Sequence, residues 1–149
     1  MSARAVLIRG PAGSGKSTLA LDLLNAATQG LARFSRLVTD DRAEIEARLG
    51  RLLVRAPPGI QGLIEIRGLG LHRVAFEPVA AVGLVVDLAD PDAERLPSPR
   101  ARKVEIEGIL LPRLAPVTGG QAIAAVLAAL AIPGPMWGMQ DDPVVASQL

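Results

Sequence analysis

Cysteine and tyrosine are absent from the 149 residues, histidine occurs once, at His72, and the aromatic side chains are Phe34, Phe76 and Trp137 alone. Without cysteine there are no disulfides, no thiolate zinc site and no cysteine nucleophile. A single histidine excludes a multi-histidine metal centre. So few aromatics leave no stacking platform for single-stranded nucleic acid, and a net charge of +1 leaves no broad basic surface for a duplex. The longest purely apolar run, Ala122 to Ile132, has eleven residues, too few to span a bilayer as a helix. The early apolar stretch Ala5 to Ile8, ending at Arg9, is too short for a signal peptide. The expectation is a cytoplasmic protein that binds neither membrane nor nucleic acid.

Half of the residues are hydrophobic and 21% are charged, a globular composition, with length for one core and not two. That core must be aliphatic. Val6-Leu7-Ile8 reads as a buried strand entering a loop at Gly10-Pro11. Leu19, Ala20, Leu23, Leu24 and Ala27 share one helical face, so residues 16–29 are expected to be helix, stopped by Gly30. Leu37-Val38-Thr39 reads as a short strand closed by Asp40-Asp41, and residues 44–55 as a hairpin turning at Gly50. Further strands are expected at Leu63 to Ile66, at Val82 to Leu88, and once or twice within Lys103 to Leu114. Residues 89–102 form a polar loop, and Gln121 to Ile132 a helix ended by Pro133-Gly134-Pro135. Residues 1–135 are read as one domain and 136–149 as a mobile tail.

Gly10-Pro11-Ala12-Gly13-Ser14-Gly15-Lys16-Ser17 fits the pattern GxxxxGK[ST] and sits between the first strand and the first helix. Glycines let the backbone turn several N–H groups toward phosphate oxygens. The helix that opens at Lys16-Ser17-Thr18 presents its free N–H groups to the same anion. Lys16 can reach the β- and γ-phosphates and the Ser17 hydroxyl can ligate Mg²⁺. A Gly-rich turn with no ligand is the bland alternative.

A nucleotide site also needs a carboxylate near the metal. Hydropathy favours Asp87, which ends the run Leu84-Val85-Val86. The adjacent pair Asp40-Asp41 offers a metal contact and a base in one turn, or merely a solvated turn ahead of Arg42. Spacing leaves both open. In Glu65-Ile66-Arg67-Gly68-Leu69-Gly70, Glu65 lies on the opposite strand face from Ile64 and Ile66 and can reach Mg²⁺, unless it is an exposed strand residue. Arg95, in a loop bounded by Pro91 and Pro97, is either solvated or a transition-state arginine, and His72 is read as non-catalytic.

Taken in order, Gly10 to Ser17, Leu37-Val38-Thr39-Asp40-Asp41-Arg42, Glu65 to Leu71 and Glu94-Arg95-Leu96 resemble the catalytic domain of the bacterial HPr kinase/phosphorylase, in a compact form similar to the α-proteobacterial branch. The resemblance implies an α/β fold: a P-loop-containing mixed β-sheet with flanking helices, similar to phosphoenolpyruvate carboxykinase. It implies ATP- and Mg²⁺-dependent phosphorylation of a serine on HPr, the phosphocarrier of the sugar phosphotransferase system, with reversal by phosphorolysis, in a hexamer. It would make Lys16 the phosphate-binding lysine, Ser17 and Glu65 metal ligands, Asp41 the base beside Asp40, and Arg95 a catalytic arginine. Nucleotide contacts would come from Gly10, Pro11, Ala12, Gly13, Ser14, Gly15, Lys16, Ser17 and Thr18. The family carries Lys and Arg where this chain reads Pro116-Val117-Thr118-Gly119-Gly120-Gln121, and a histidine upstream of the loop that is absent from residues 1–9. A regulatory nucleotide-binding module with little turnover, or a different small kinase or NTPase using Asp87, are the alternatives.

Overall fold

Aliphatic strands alternating with turn residues dictate most of the elements seen in the computed structural model, which describes residues 4–32, 34–117, 122–131 and 145–148. In chain order these are β1 (Arg4–Arg9), α1 (Lys16–Thr28), β2 (Glu44–Arg48), β3 (Arg51–Arg55), β4 (Leu63–Ile66), β5 (Gly70–Arg73), β6 (Ala80–Asp87), β7 (Lys103–Ile106), β8 (Ile109–Leu114), α2 (Ala122–Ala131) and β9 (Val145–Gln148). A 3₁₀ turn, Arg100–Arg102, precedes β7.

The sheet is organised around β6. One edge of β6 pairs in parallel with β1 along its length. Its other edge is shared, antiparallel with β3 at Ala80 and Ala81 and parallel with β8 at Val85 and Val86. β2 and β7 extend the sheet as hairpin partners of β3 and β8. Both hairpins close on two residues of positive φ, Leu49-Gly50 and Glu107-Gly108, the backbone twist that two-residue hairpins favour. The pairing register of β1 and β6 slips between Ala5 and Val6, so Val82 and Val85 face the same side.

Burial on both faces explains why β1 and β6 are unbroken apolar runs. On one face Val6, Ile8, Leu84 and Val86 pack under Leu19, Ala20 and Leu23 of α1 and Val126 and Ala129 of α2. On the other, Ala5, Leu7, Val82 and Val85 meet Leu52, Val54 and Leu111. The result is a mixed α/β fold with a curled sheet. Among the described residues, no helix is long and apolar enough to cross a membrane.

Two expectations change. Leu37, Val38 and Thr39 are each 0% exposed, yet they form no strand, only one bridge between Leu37 and Phe76. Their apolarity reports burial, and the chain then turns sharply, with Asp41 at φ 64 and the Arg42 amide donating to the Asp40 carbonyl at 2.7 Å. Within the expected tail, Val145–Gln148 pairs in parallel with β1 instead. This occupies the edge of β1 that would otherwise present unpaired N–H and C=O groups beside a wholly apolar run. Residues 132–144 and 149 lie outside the described residues.

A separate two-stranded sheet, β4–β5, is set by Gly62. A Cβ there would come within 2.7 Å of the Phe76 ring and 3.0 Å of the Val74 carbonyl, and φ is +72. Gly62→Ala is expected to cost about 2–3 kcal/mol, the sum of overpacking and left-handed strain. Thermal denaturation checks this, and an unchanged melting temperature would contradict it.

Candidate functional site

The strand-to-helix turn after β1 is built by backbone geometry. Gly10, Gly13 and Gly15 all have positive φ, and at Gly10 a Cβ would lie 2.6 Å from Ser14 Oγ. Gly15 caps α1 in the left-handed conformation with no side-chain hydrogen bond. The amides of the first turn are therefore left without a side-chain acceptor, the arrangement that suits an anion. Lys16 Nζ donates to the Gly10 carbonyl at 2.6 Å, folding the lysine back over the turn.

This turn forms one wall of a cleft of about 680 Å³, lined by Ala12 to Thr18, Leu21, Asp41, Glu65, Ile66 and Arg67. Three segments distant in sequence meet there: the glycine turn, the Asp40–Asp41 turn and the end of β4. Asp40 joins the last two, because its Oδ2 accepts the Glu65 amide at 3.0 Å. Thr39 Oγ1 braces the turn by donating to the Arg42 carbonyl.

The two aspartates thus differ in kind. Asp40 is 8% exposed and does not line the cleft, while Asp41 is exposed and does. Burial pushes the Asp40 carboxyl above the ordinary carboxylate range, with the Asp41 charge adding to it. The hydrogen bond from the Glu65 amide opposes the shift without cancelling it. Asp40 Oδ1 is buried and has no hydrogen-bond partner.

Ser17 and Glu65 both line the cleft, with a hydroxyl and a carboxylate to offer, and this bears on whether Mg²⁺ fits. Among the described residues no group of three or more acidic or histidine side chains could hold a metal by itself. Mg²⁺ seldom asks for one, since it takes one or two carboxylates and completes its shell with waters and phosphate oxygens. The residues present fit that ion when a nucleotide brings the remaining ligands.

Asp87, favoured by hydropathy, has a different occupation. Its Oδ1 accepts Arg9 Nε at 2.7 Å, and its Oδ2 accepts Arg9 Nη2 at 2.9 Å and Arg113 Nε at 2.6 Å. Both oxygens are committed to guanidinium groups, and Asp87 is not among the residues lining the cleft. Burial acts to raise its pKa, but the hydrogen bonds and charges of Arg9 and Arg113 prevail and lower it below 3.8. A lowered carboxylate contributes stability that is present above the unfolded pKa of about 4 and lost as pH falls through the folded value. Asp87→Asn is expected to cost about 2 kcal/mol at neutral pH, between an exposed and a buried pair. It should also flatten the fall in melting temperature below about pH 4. A variant with the parental acid profile would contradict this assignment.

Arg95 sits in the exposed 89–102 loop and is not among the residues lining the cleft. His72 is exposed on β5, with Nε2 3.2 Å from the Leu69 carbonyl. Arg67, not singled out from sequence, does line the cleft. It is the first residue of the turn that follows β4, directly after Glu65 and Ile66, which line the cleft with it.

The family model of the HPr Serine kinase C-terminal domain matches residues 2–136. The chain belongs to the HPr serine kinase family. It is 34% identical over 140 residues to an HPr kinase/phosphorylase from Limosilactobacillus reuteri, covering 85% of this chain and 41% of the relative. It is 38% identical over 135 residues to that of Geobacillus thermodenitrificans, covering 82% and 41%. The solved Hpr(Ser) kinase/phosphatase from Coxiella burnetii superposes with a TM-score of 0.64 at 28% identity over 83% of each chain. The chain therefore spans about two fifths of the curated HPr kinase relatives.

Proposed function

We propose that this chain binds ATP with Mg²⁺ and transfers the γ-phosphoryl group to a serine hydroxyl of an HPr-like phosphocarrier protein. The observation that carries this reading is the cleft in which Lys16 and Ser17, Asp41, and Glu65 face one another from three separate segments. First-turn amides and Lys16 hold the β- and γ-phosphates. Mg²⁺, held by Ser17 and Glu65, would neutralise the charge that develops on those oxygens. The serine oxygen attacks the γ-phosphorus, the bond to the β–γ bridging oxygen breaks, ADP leaves, and the serine proton passes to Asp41. The exposure of Asp41 suits a base that must meet a hydroxyl on another protein. Phosphorolysis would use the same cleft with inorganic phosphate in the place of ADP: a phosphate oxygen attacks the phosphoserine phosphorus, the bond to the serine oxygen breaks, pyrophosphate forms, and Asp41 returns the proton to the serine oxygen. Cytoplasmic location, a hexameric assembly, carbon regulation and kinship to the phosphoenolpyruvate carboxykinase fold belong to this reading.

A second reading is a nucleotide-binding regulatory module with weak turnover, favoured by the absence of Arg95 from the residues lining the cleft. Calorimetry with ATP and Mg²⁺, followed by transfer of labelled γ-phosphate to purified HPr, separates the two. Binding with multiple turnover supports the kinase. Binding without product supports the module. Failure to bind at all removes both.

A further inference from the structure

A polar network at the ends of β1, β6 and β8 lies outside the cleft and has its own architecture. Arg113, on β8, touches three acceptors: Asp87 through Nε, the Asp90 carboxylate through Nη2, and the Ala101 carbonyl through Nη1 at 3.1 Å. Asp90 and Ala101 stand near opposite ends of the 88–102 loop, so one side chain pins both limbs. Asp90 Oδ1 also accepts the Asp92 amide at 2.9 Å, and Arg102 Nε donates to the Pro97 carbonyl at 3.1 Å. Asp87 passes the connection on to Arg9, which precedes Gly10 and whose carbonyl accepts the Leu88 amide at 2.8 Å.

A solvated surface loop has no need of such anchorage. Removing charged groups from water is costly unless geometry is held in return, and Arg113, Asp87 and Asp90 side chains are only 15–19% exposed. Ala89, between the anchors, is held at φ 56, a conformation that costs an alanine about 1–2 kcal/mol. A lysine, with a compact charge in place of a planar fork, cannot serve all three acceptors.

We propose that Arg113 and Asp90 are positioning residues for phosphoryl transfer, stapling the 88–102 loop and its Arg95 to the strand that feeds the Gly10–Ser17 turn, so that nucleotide binding and ordering of the loop are coupled. The inference rests on the ATP reading above. It extends that reading to a loop that does not itself line the cleft, and to residues outside every stretch on which the family resemblance was drawn.

Hydrogen exchange on the full chain, with and without saturating ATP and Mg²⁺, tests it for the parent, Arg113→Lys and Asp90→Asn. In the parent, ATP should slow exchange within 10–18 and within 89–101. In both variants the effect at 10–18 should persist while that at 89–101 is lost. Turnover on HPr should fall about tenfold or more, as expected when a positioning contact is lost, with KM for ATP within about twofold. Asp90→Asn removes a rim contact and leaves Arg9, Asp87 and Arg113 paired, so it decides the matter if Arg113→Lys folds poorly. Protection at 10–18 without protection at 89–101 in the parent overturns the coupling. So does a variant that only melts earlier and keeps the ATP-dependent difference. Silence at 10–18 in the parent overturns the nucleotide reading, and the staple's role with it.

Discussion

Lys16→Ala is expected to weaken ATP binding by about 10- to 100-fold, the loss that follows removal of charge-assisted hydrogen bonds to phosphate. Phosphoryl transfer should fall further, because charge on the γ-phosphoryl oxygens shifts in the transition state and a fixed cation acts on it in a partly dehydrated cleft. Stability should change little. Lys16 occupies the first position of α1, where alanine is at least as good a helix former, and its ammonium donates to the carbonyl of its own turn. Calorimetry for ATP affinity and thermal melting of the apoprotein together check this. Unaltered affinity would remove the glycine turn from nucleotide binding, and a large loss of apo stability would make Lys16 structural.

Asp41→Asn is expected to lower turnover on HPr by about 10²- to 10⁴-fold, the usual contribution of a positioned base, with ATP affinity within about threefold of the parent. The amide keeps the shape and tolerates the left-handed backbone at φ 64, a conformation in which asparagine and aspartate are both at ease. Loss of the proton acceptor is then the sole chemical change. Asp40→Ala is the contrasting case. Asp40 is buried and its carboxylate accepts the Glu65 amide, so removing the acceptor should leave that amide unpaired, disturb both the Asp40–Asp41 turn and β4, and lower the melting temperature as well. If Asp41→Asn retains full turnover, the base lies elsewhere. If both variants behave alike, the division of labour between the two carboxylates is wrong.

The glycine turn and the helix behind it were legible because their chemistry is local. A short β run, glycines where positive φ is required, and an amphipathic stretch closing at Gly30 need no distant partner to be read. The hairpin at Gly50 was legible for the same reason. Hydropathy misled twice, at Leu37-Val38-Thr39 and at Asp87. In each it correctly reported a segment heading into the core, and it said nothing of backbone pairing or of what a carboxylate meets at the end. The partners of Asp87 lie 78 and 26 residues away, beyond any periodicity. Arg67 was in view beside Glu65 but acquired a place only when the β4–β5 sheet was set against α1.

By itself, the sequence determined the family, the glycine turn between β1 and α1 and the presence of the acidic pair, since all three are written in short contiguous stretches whose backbone needs are met by neighbouring residues. Only the tertiary structure decided which aspartate faces the cleft and which is buried beneath it, that Asp87 is consumed by two arginines, and that Val145–Gln148 covers the edge of β1. Burial, ion pairing and strand addition are satisfied by groups brought together from far along the chain, and the folded geometry alone assigns those groups to one another.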